Sequence, residues 1–399
     1  MEDGGTEGLV AITVLIDGDD IEVSGKNFDR LLGNSVASTY KGYEQAMDTG
    51  RITLSELIVL CRRAEVPYVL LFAAEEVVAQ QVKMKEDKLL SGVTKESFSV
   101  NSRGYVELKG IELIVKDLLR KQELLKRGDP SLQKNLLVGS LRQPGPTVKA
   151  DALKLKQILG FDGDKFMAQR KKGDALDFLI ESLESRQVLV SQSVNNYMPQ
   201  RVQSGSFSGI TIRDKKIPYI FLSRGDQGDY QEPVGRQIFT LTLLAVLVAR
   251  GVFSAVQYDG STLEGEVARE FDIAGEFLMP EQNIRSAWVS SLDDLKGVAN
   301  EFKVTPSAVV TRGSRLGLCS YAQARSWLDD LAEEYSSREK PQMRSPRAEN
   351  AIRRYNGREM TSRMLDLHDR GVMTAGEFCR VVGLNKIKPS QIESLREAI

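Results

Sequence analysis

The chain has 399 residues, of which 41% are hydrophobic and 27% charged, and 54 basic side chains against 55 acidic ones leave a formal net charge of −1 at pH 7. A chain of this length makes two to four domains with cores of their own, and the even charge balance confines any nucleic-acid surface to a local patch. The single histidine, His368, argues against two large classes of enzyme. Zinc hydrolases draw several ligands from histidine, and serine or cysteine triads need a histidine base. His368 itself, in MLDLHDRG, reads as a solvated residue near a helix C-terminus.

The three cysteines, Cys61, Cys319 and Cys379, are odd in number, far apart and without metal-ligand spacing. That pattern predicts reduced thiols in a cytoplasmic protein. The opening MEDGGTEG has no basic stretch ahead of an apolar one, so no signal peptide is expected. The longest strongly apolar run, about Ile238 to Val248, is too short to span a bilayer. No membrane partner and no cofactor are expected.

Residues 8–23 read as one or two short strands around a DGDD turn. From Phe28 to Phe72 the pattern is helical. Thr53 is the N-cap of a helix with Glu56 three positions on, a capping box, and Leu54, Leu57, Ile58, Leu60 and Cys61 form its apolar face. Pro67 ends that stretch. Residues 74–195 are mostly helical in pattern, with breaks at GDP (128–130) and QPGP (143–146), and DALDFLIESLESRQVLV (174–190) reads as a helix running into a strand. GSFSGITIRDKKIPYIFL (205–222) reads as two strands joined at RDKK. An α+β core follows to about residue 335. Residues 336–348 are polar, basic and contain proline, which marks an exposed linker. The tail from Glu349 to Ile399 holds two or three short helices.

Within LDDLKGVANEFKVTPSAVVTRGSRLGL (292–318), a helix from Asp293 to Phe302, a turn at Lys303 to Thr305 and a second helix carrying Thr311, Arg312 and Arg315 have the form of a helix-turn-helix. A second basic run includes Arg344, Arg347, Arg353, Arg354, Arg358 and Arg363. Of these, Arg353, Arg354 and Arg358 fall near one helix face, and phosphate contact there would be sensitive to salt. Glu264, Glu266, Glu270, Asp272 and Glu276 cluster in one stretch, which reads as a solvated helix face rather than as acid/base machinery. GDQGD (225–229) lacks the lysine of a phosphate loop and reads as a plain loop.

Several of these stretches, in order, resemble the ImmA/IrrE family of bacterial and phage regulators, which join a repressor-type helix-turn-helix to a zincin-like metallopeptidase domain. Glu44 and Gly50 stand in the family's turn, and Val66, Pro67, Leu71 and Phe72 in its "vP...LF" ending. DRLLGNSVASTYKG (29–42) lacks the preceding helix and makes this first domain degenerate. Lys41 is its candidate DNA contact. Farther on, GRQIFTLTLLAVLVARG (235–251) resembles the segment that carries HExxH, with Arg236, Phe239, Thr240 and Leu241 fitting. In HExxH, two histidines one turn apart hold zinc and the glutamate is the general base. Here Leu243, Leu244 and Leu247 occupy those positions, and leucine can neither ligate a metal nor accept a proton. Glu276, Phe277, Leu278, Met279 and Pro280 fit the family's later helix, and the third ligand position falls near Arg269. Residues 292–318 and 358–384 resemble the closing segment and the small C-terminal module.

The resemblance implies a mainly helical α+β protein: a degenerate repressor-like helix-turn-helix domain (1–80), a helical connector (81–173), a zincin-like pseudo-peptidase domain (174–335), a linker (336–348) and a helical C-terminal module (349–399). No metal and no peptidase activity are expected. The implied function is non-enzymatic regulation of a phage or mobile element, as a transcriptional repressor or antirepressor, with an operator DNA or a repressor protein as partner. Thr311, Arg312, Arg315, Arg353 and Arg354 join Lys41 as candidate DNA contacts. A docking or antitoxin-like protein without DNA is the alternative, and a metallopeptidase with an atypical ligand set the second. The helix at Ile238 to Val248 has two readings: its leucines fill the former cleft as ordinary core, or they line an apolar groove.

Overall fold

The computed structural model describes residues 11–16, 19–33, 35–89, 96–99, 103–105, 111–200, 202, 207–225, 232–257, 269–337 and 346–399. They form a mainly helical α+β protein with two mixed sheets. By contact the chain separates into two compact units, the first made of 1–91, 107–117 and 199–201 and the second of 92–106, 118–198 and 202–399.

The first unit contains a three-stranded sheet in the order β2-β1-β3. Strands β1 (Ala11–Ile16) and β2 (Asp19–Ser24) are antiparallel, as the turn signal between them predicts, with Ile12 opposite Val23. Strand β3 (Arg51–Thr53) lies parallel to β1, with Val14 beside Ile52. It interrupts a stretch whose pattern is helical throughout. Gly50, at φ +67°, ends helix α1 (Lys41–Thr49), and Thr53 already caps helix α2 (Leu54–Ala64). The strand between them is too short to show a period of two. The capping box forms: Thr53 and Glu56 each accept from the other's backbone N–H. Leu57, Leu60 and Cys61 then face Ile12, Val14, Phe28 and Leu32 in the unit's core.

The second unit is built on a six-stranded sheet in the order β5-β4-β9-β7-β8-β6. Its members are β4 (Glu96–Ser99), β5 (Arg103–Tyr105), β6 (Leu189–Gln192), β7 (Phe207–Ile212), β8 (Tyr219–Leu222) and β9 (Ala255–Gln257). Strands β4 and β5 stand in a segment whose pattern reads as helical. The β7-β8 hairpin is in the predicted place, with Ile212 opposite Tyr219. Strands β6 and β8 are buried along their whole length, the signature of a sheet covered on both faces. Helix α3 (Glu112–Gly128), which belongs to this unit from Leu118 onward, ends at the GDP break, and helix α4 (Val148–Leu159) begins just after QPGP. Helix α5 (Lys172–Glu184) leads into β6 as expected, and helix α6 (Val234–Arg250) lies across β7 and β8.

Residues 174–198, 202–335 and 349–399, which the sequence divides by a linker, belong to the same compact unit. The tail forms helices Ala348–Asn356, Arg358–Asp369, Ala375–Val381 and Ile392–Glu397, more than the two or three that its pattern suggests. The Ser191 hydroxyl of β6 donates to the Tyr355 carbonyl, buried Lys121 donates to Asn356 at 2.6 Å, and Arg363 meets Asp129 at 2.5 Å. Gly357, at φ +86°, makes the approach possible. A Cβ there would stand 2.3 Å from Glu184 Oε1 and 2.5 Å from the Val190 carbonyl oxygen.

Glu184 is 5% exposed, and burial pushes its carboxyl up to about 8 against the opposing backbone N–H groups of Glu359, Val190 and Arg358. A raised acid keeps its full contribution to stability below its unfolded pKa and loses it as the pH climbs toward the folded value. Stability should therefore decline between about pH 4.5 and pH 8 through this group. Glu184→Gln, which cannot ionise, should raise the unfolding free energy at pH 8 by on the order of 2–4 kcal/mol and much less at pH 5. Urea melts at the two pH values measure this, and equal gains at both would contradict the assignment.

Candidate functional site

Helix α6 is apolar around its whole circumference from Ile238 to Ala249, so it can exist only with other elements on every side. Leu243, Leu244 and Leu247 are 1%, 0% and 0% exposed and belong to the largest core cluster. Two glycines set how closely the helix is held. A Cβ on Gly209 of β7 would lie 2.7 Å from Leu244 Cδ1 and 2.6 Å from the Phe221 carbonyl oxygen. A Cβ on Gly235, in the helix's first turn, would lie 2.5 Å from the carbonyl carbon of Val304. The bare backbone lets Leu244 rest on the sheet and lets the 303–305 turn press on the helix start.

Beside this helix lies a cleft of about 100 Å³. Its apolar wall comes from Phe239 and Leu243 of α6, Val256 of β9, and Phe271 and Met279 from helix α7 (Arg269–Leu278) and the residue following it. The facing wall is helix α9 (Pro306–Arg315), which follows helix α8 (Leu292–Glu301) across a short turn, with Thr305, Ser307, Ala308 and Thr311 at the cleft. This is the predicted helix-turn-helix form: Lys303 takes the left-handed φ of +61°, Thr305 caps α9 through the Ala308 N–H, and Pro306 occupies its first turn.

Three arginines also line the cleft: Arg236, Arg312 and Arg315. Arg312 is 6% exposed and its Nη2 donates to Glu276, which is 5% exposed. Its Nε is buried without a hydrogen-bond partner, and burial lowers its proton affinity below the usual guanidinium value. Arg315 pairs with Asp272 at 3.0 Å. Glu232 sits beside Arg236 and accepts from Ser208, and burial pushes its carboxyl up to about 7. Gly275 of α7 leaves room next to Arg312, since a Cβ there would stand 3.4 Å from Cδ and 3.7 Å from Nε. On the other face of α9, Trp288 lies against Gly313, where a Cβ would stand 2.0 Å from the indole, and Trp327 is 6.4 Å from Trp288 between ring centres.

The fold thus brings Leu243, Thr311, Arg312 and Arg315 to one cleft and leaves the other predicted residues elsewhere. Lys41 is exposed in the first turn of α1, in the first unit. Arg353 donates to the Ala398 carbonyl at 2.5 Å, and Arg354 is exposed on the same helix. None of the ten residues of α9 is fully exposed, so Arg312 and Arg315 point into ion pairs rather than into solvent. His368 is half-buried, its Nδ1 3.0 Å from the Met373 carbonyl oxygen and its ring against Phe378. Arg269, near the expected third ligand position, pairs with Asp151 at 2.9 Å, and Glu270 pairs with Arg250 at 2.9 Å. The carboxylate stretch that reads as a solvated face is therefore largely internal: Glu270 and Glu276 are buried. Glu264, Glu266, Arg344 and most of the 225–229 loop lie outside the described residues. Among the described residues no group of three or more His, Cys, Asp or Glu side chains is placed to hold a metal ion, and no helix is long and apolar enough to cross a membrane.

Sequence reasoning missed Ser208 and Gly275 as members of the cleft. The isolated glycine inside the REFDIAGEFL helix is the one local signal that pointed there. Comparison of the chain with protein-family models, with curated proteins and with solved structures gave no match.

The buried Arg312–Glu276 pair carries a direct prediction. Removing one partner of such a pair leaves an uncompensated charge inside the protein. Glu276→Ala should lower the unfolding free energy by about 3–5 kcal/mol, read as a shifted urea midpoint. The double replacement Glu276→Leu with Arg312→Met should recover most of the loss. A double variant no more stable than the single would show that the pair is not what holds this wall.

Proposed function

We propose that this chain is a non-enzymatic regulator of a phage or mobile element, a repressor or antirepressor, whose ImmA/IrrE-type peptidase domain has lost its zinc and its base. The observation that carries the reading is the chemistry of α6. The positions that resemble HExxH hold Leu243, Leu244 and Leu247, all within the core, and none can ligate zinc or move a proton. The local order supports the resemblance: helix α5, strand β6, the β7-β8 hairpin, α6, β9 and α7 follow one another as the motif stretches do. With no catalysis to perform, the domain acts by binding, and operator DNA meets the chain through Lys41, Arg353 and Arg354. One observation favours a second reading, a docking protein without DNA: α9, the better of the two recognition-helix candidates in sequence, presents no fully exposed residue, and a helix that reads a major groove needs an exposed face.

Genome-wide DNA pulldown with the tagged protein in its native host, with co-purifying proteins identified from the same sample, separates the two. The expected result is a sharp peak near the protein's own promoter. Binding to that DNA in vitro should fall steeply as salt rises, and a variant with Arg353→Gln and Arg354→Gln should lose the peak. No peak and one stoichiometric protein partner would replace the regulator by the docking protein. Stoichiometric zinc in the purified chain, with zinc-dependent cleavage of a co-purifying protein, would overturn the non-enzymatic reading altogether.

A further inference from the structure

The cleft beside α6 carries charge only in matched form. Three arginines line it, and each is already answered: Glu276 takes Arg312, Asp272 takes Arg315 at 3.0 Å, and Arg236 has Glu232 beside it. The Nε of Arg312 is sealed inside the protein and offers nothing to a molecule in the cleft. A charged guest would leave water and find no opposite charge waiting for it. The body of the cleft is apolar, formed by Phe239, Leu243, Val256, Phe271 and Met279. The rings of Phe239 and Phe271 lie nearly parallel, 6.5 Å apart between centres.

The α9 wall adds hydroxyl groups whose capacity is only partly used. Thr305 and Ser307 share one hydrogen bond, Oγ1 to Oγ at 3.0 Å, so two O–H donors make one bond between them and one donor is left over. Thr311 gives its proton to the Ser307 carbonyl at 2.8 Å, and its oxygen keeps the ability to accept. Ser307 and Thr311 stand one turn apart on α9, and all three residues line the cleft. A donor and an acceptor thus sit side by side opposite an aromatic wall.

We propose that this cleft binds a small neutral molecule made of one aromatic ring and one hydroxyl, of the phenol class. The ring lies against Phe239, Leu243, Phe271 and Met279. The hydroxyl donates to Thr311 Oγ1 and accepts the spare proton of the Thr305–Ser307 pair. Aromatic walls and a methionine sulfur favour an aromatic guest over an alkyl chain, and an apolar pocket with a few convergent polar groups is the ordinary form of a small-ligand site. Size narrows the class. A cavity of about 100 Å³ is of the order of the roughly 150 Å³ that takes benzene, with room for one ring and none for a second ring or a run of peptide. The site rests on the cleft geometry and does not depend on the regulatory reading. If both hold, the phenol is the regulator's effector.

Isothermal titration calorimetry of the full chain with phenol tests it, with toluene, benzoate and benzylamine as apolar, anionic and cationic controls on the same ring. Near neutral pH a phenol keeps its proton. Phenol should bind one site per chain with a Kd of roughly 1 mM or tighter. It should bind at least as tightly as toluene, whose greater apolar surface would otherwise win. Benzoate and benzylamine should bind at least about ten-fold more weakly than phenol, since each would bury a charge without a partner. Thr311→Val, which keeps the shape of the side chain and removes its oxygen, should weaken phenol several-fold and leave toluene unchanged. Ala308→Leu, which places a larger side chain in the cleft, should abolish the binding of both. Circular dichroism and the melting temperature confirm that each variant is folded. Should Ala308→Leu fail to fold, Thr311→Val still decides. Toluene binding more tightly than phenol, or phenol binding that ignores Thr311→Val, would reduce the site to an apolar void and overturn the proposal. Benzoate or benzylamine binding more tightly than phenol would reveal an unanswered charge in the cleft and overturn it too. So would the absence of any phenol heat at millimolar concentrations, or phenol affinity untouched in a folded Ala308→Leu chain.

Discussion

The second unit depends on the contact between Leu244 and the bare backbone of Gly209. Helix α6 is apolar on every face, so its stability comes from burial rather than from its own hydrogen bonds. Each large side chain it hides contributes roughly 1.5–3 kcal/mol. That burial is complete only if the helix lies flat on the hairpin, and the absence of a side chain at Gly209 is what allows it. Gly235 does the same at the helix start, where the 303–305 turn closes on it. Strand, helix and turn are thereby fixed to one another before any polar interaction is considered. The cleft is what remains where α6, α7 and α9 meet without filling the space between them.

Around this apolar centre the unit places its charges in pairs, and the pairs join segments far apart in sequence. Arg250 meets Glu270, Arg269 meets Asp151, Arg312 meets Glu276, and Arg363 meets Asp129. Such pairs are poor sources of net stability, because desolvation offsets most of their attraction. They are strict about geometry, however, since a displaced partner leaves a charge buried alone. The arrangement selects one packing of α4, α7 and α9 from the many that hydrophobic burial alone would tolerate. Arg312 stands out among these arginines because its Nε remains without a partner.

Much of the local structure was legible in the sequence, and the reasons are local. The Thr53–Glu56 capping box, the β7-β8 hairpin at RDKK, the break at Gly128 and the α8-turn-α9 form are each written within a few neighbouring residues. Strand β3 was not legible, because three residues between a left-handed glycine and a helix cap cannot display an alternating pattern. The roles of Arg312 and Arg315 were not legible either. A basic residue on a second helix reads as a nucleic-acid contact, and its carboxylate partners lie 36 and 43 positions away, on a stretch whose acids read as solvated. The cleft could not be read from any one segment, since it exists only where three helices and two strands converge. The leucines in place of HExxH were plain in sequence, and the structure adds the glycines that let them pack.

One further consequence follows from the close seat of Trp288 on Gly313. The chain has only two tryptophans, and both sit behind α9, 6.4 Å apart. The indole occupies the place where any larger residue at 313 would put its Cβ, so the helix cannot shift along its own axis without dragging that ring. The protein therefore carries an intrinsic optical gauge: ultraviolet emission reports on the Trp288 ring seated on α9 and on Trp327 beside it, with no other indole in the chain to dilute it.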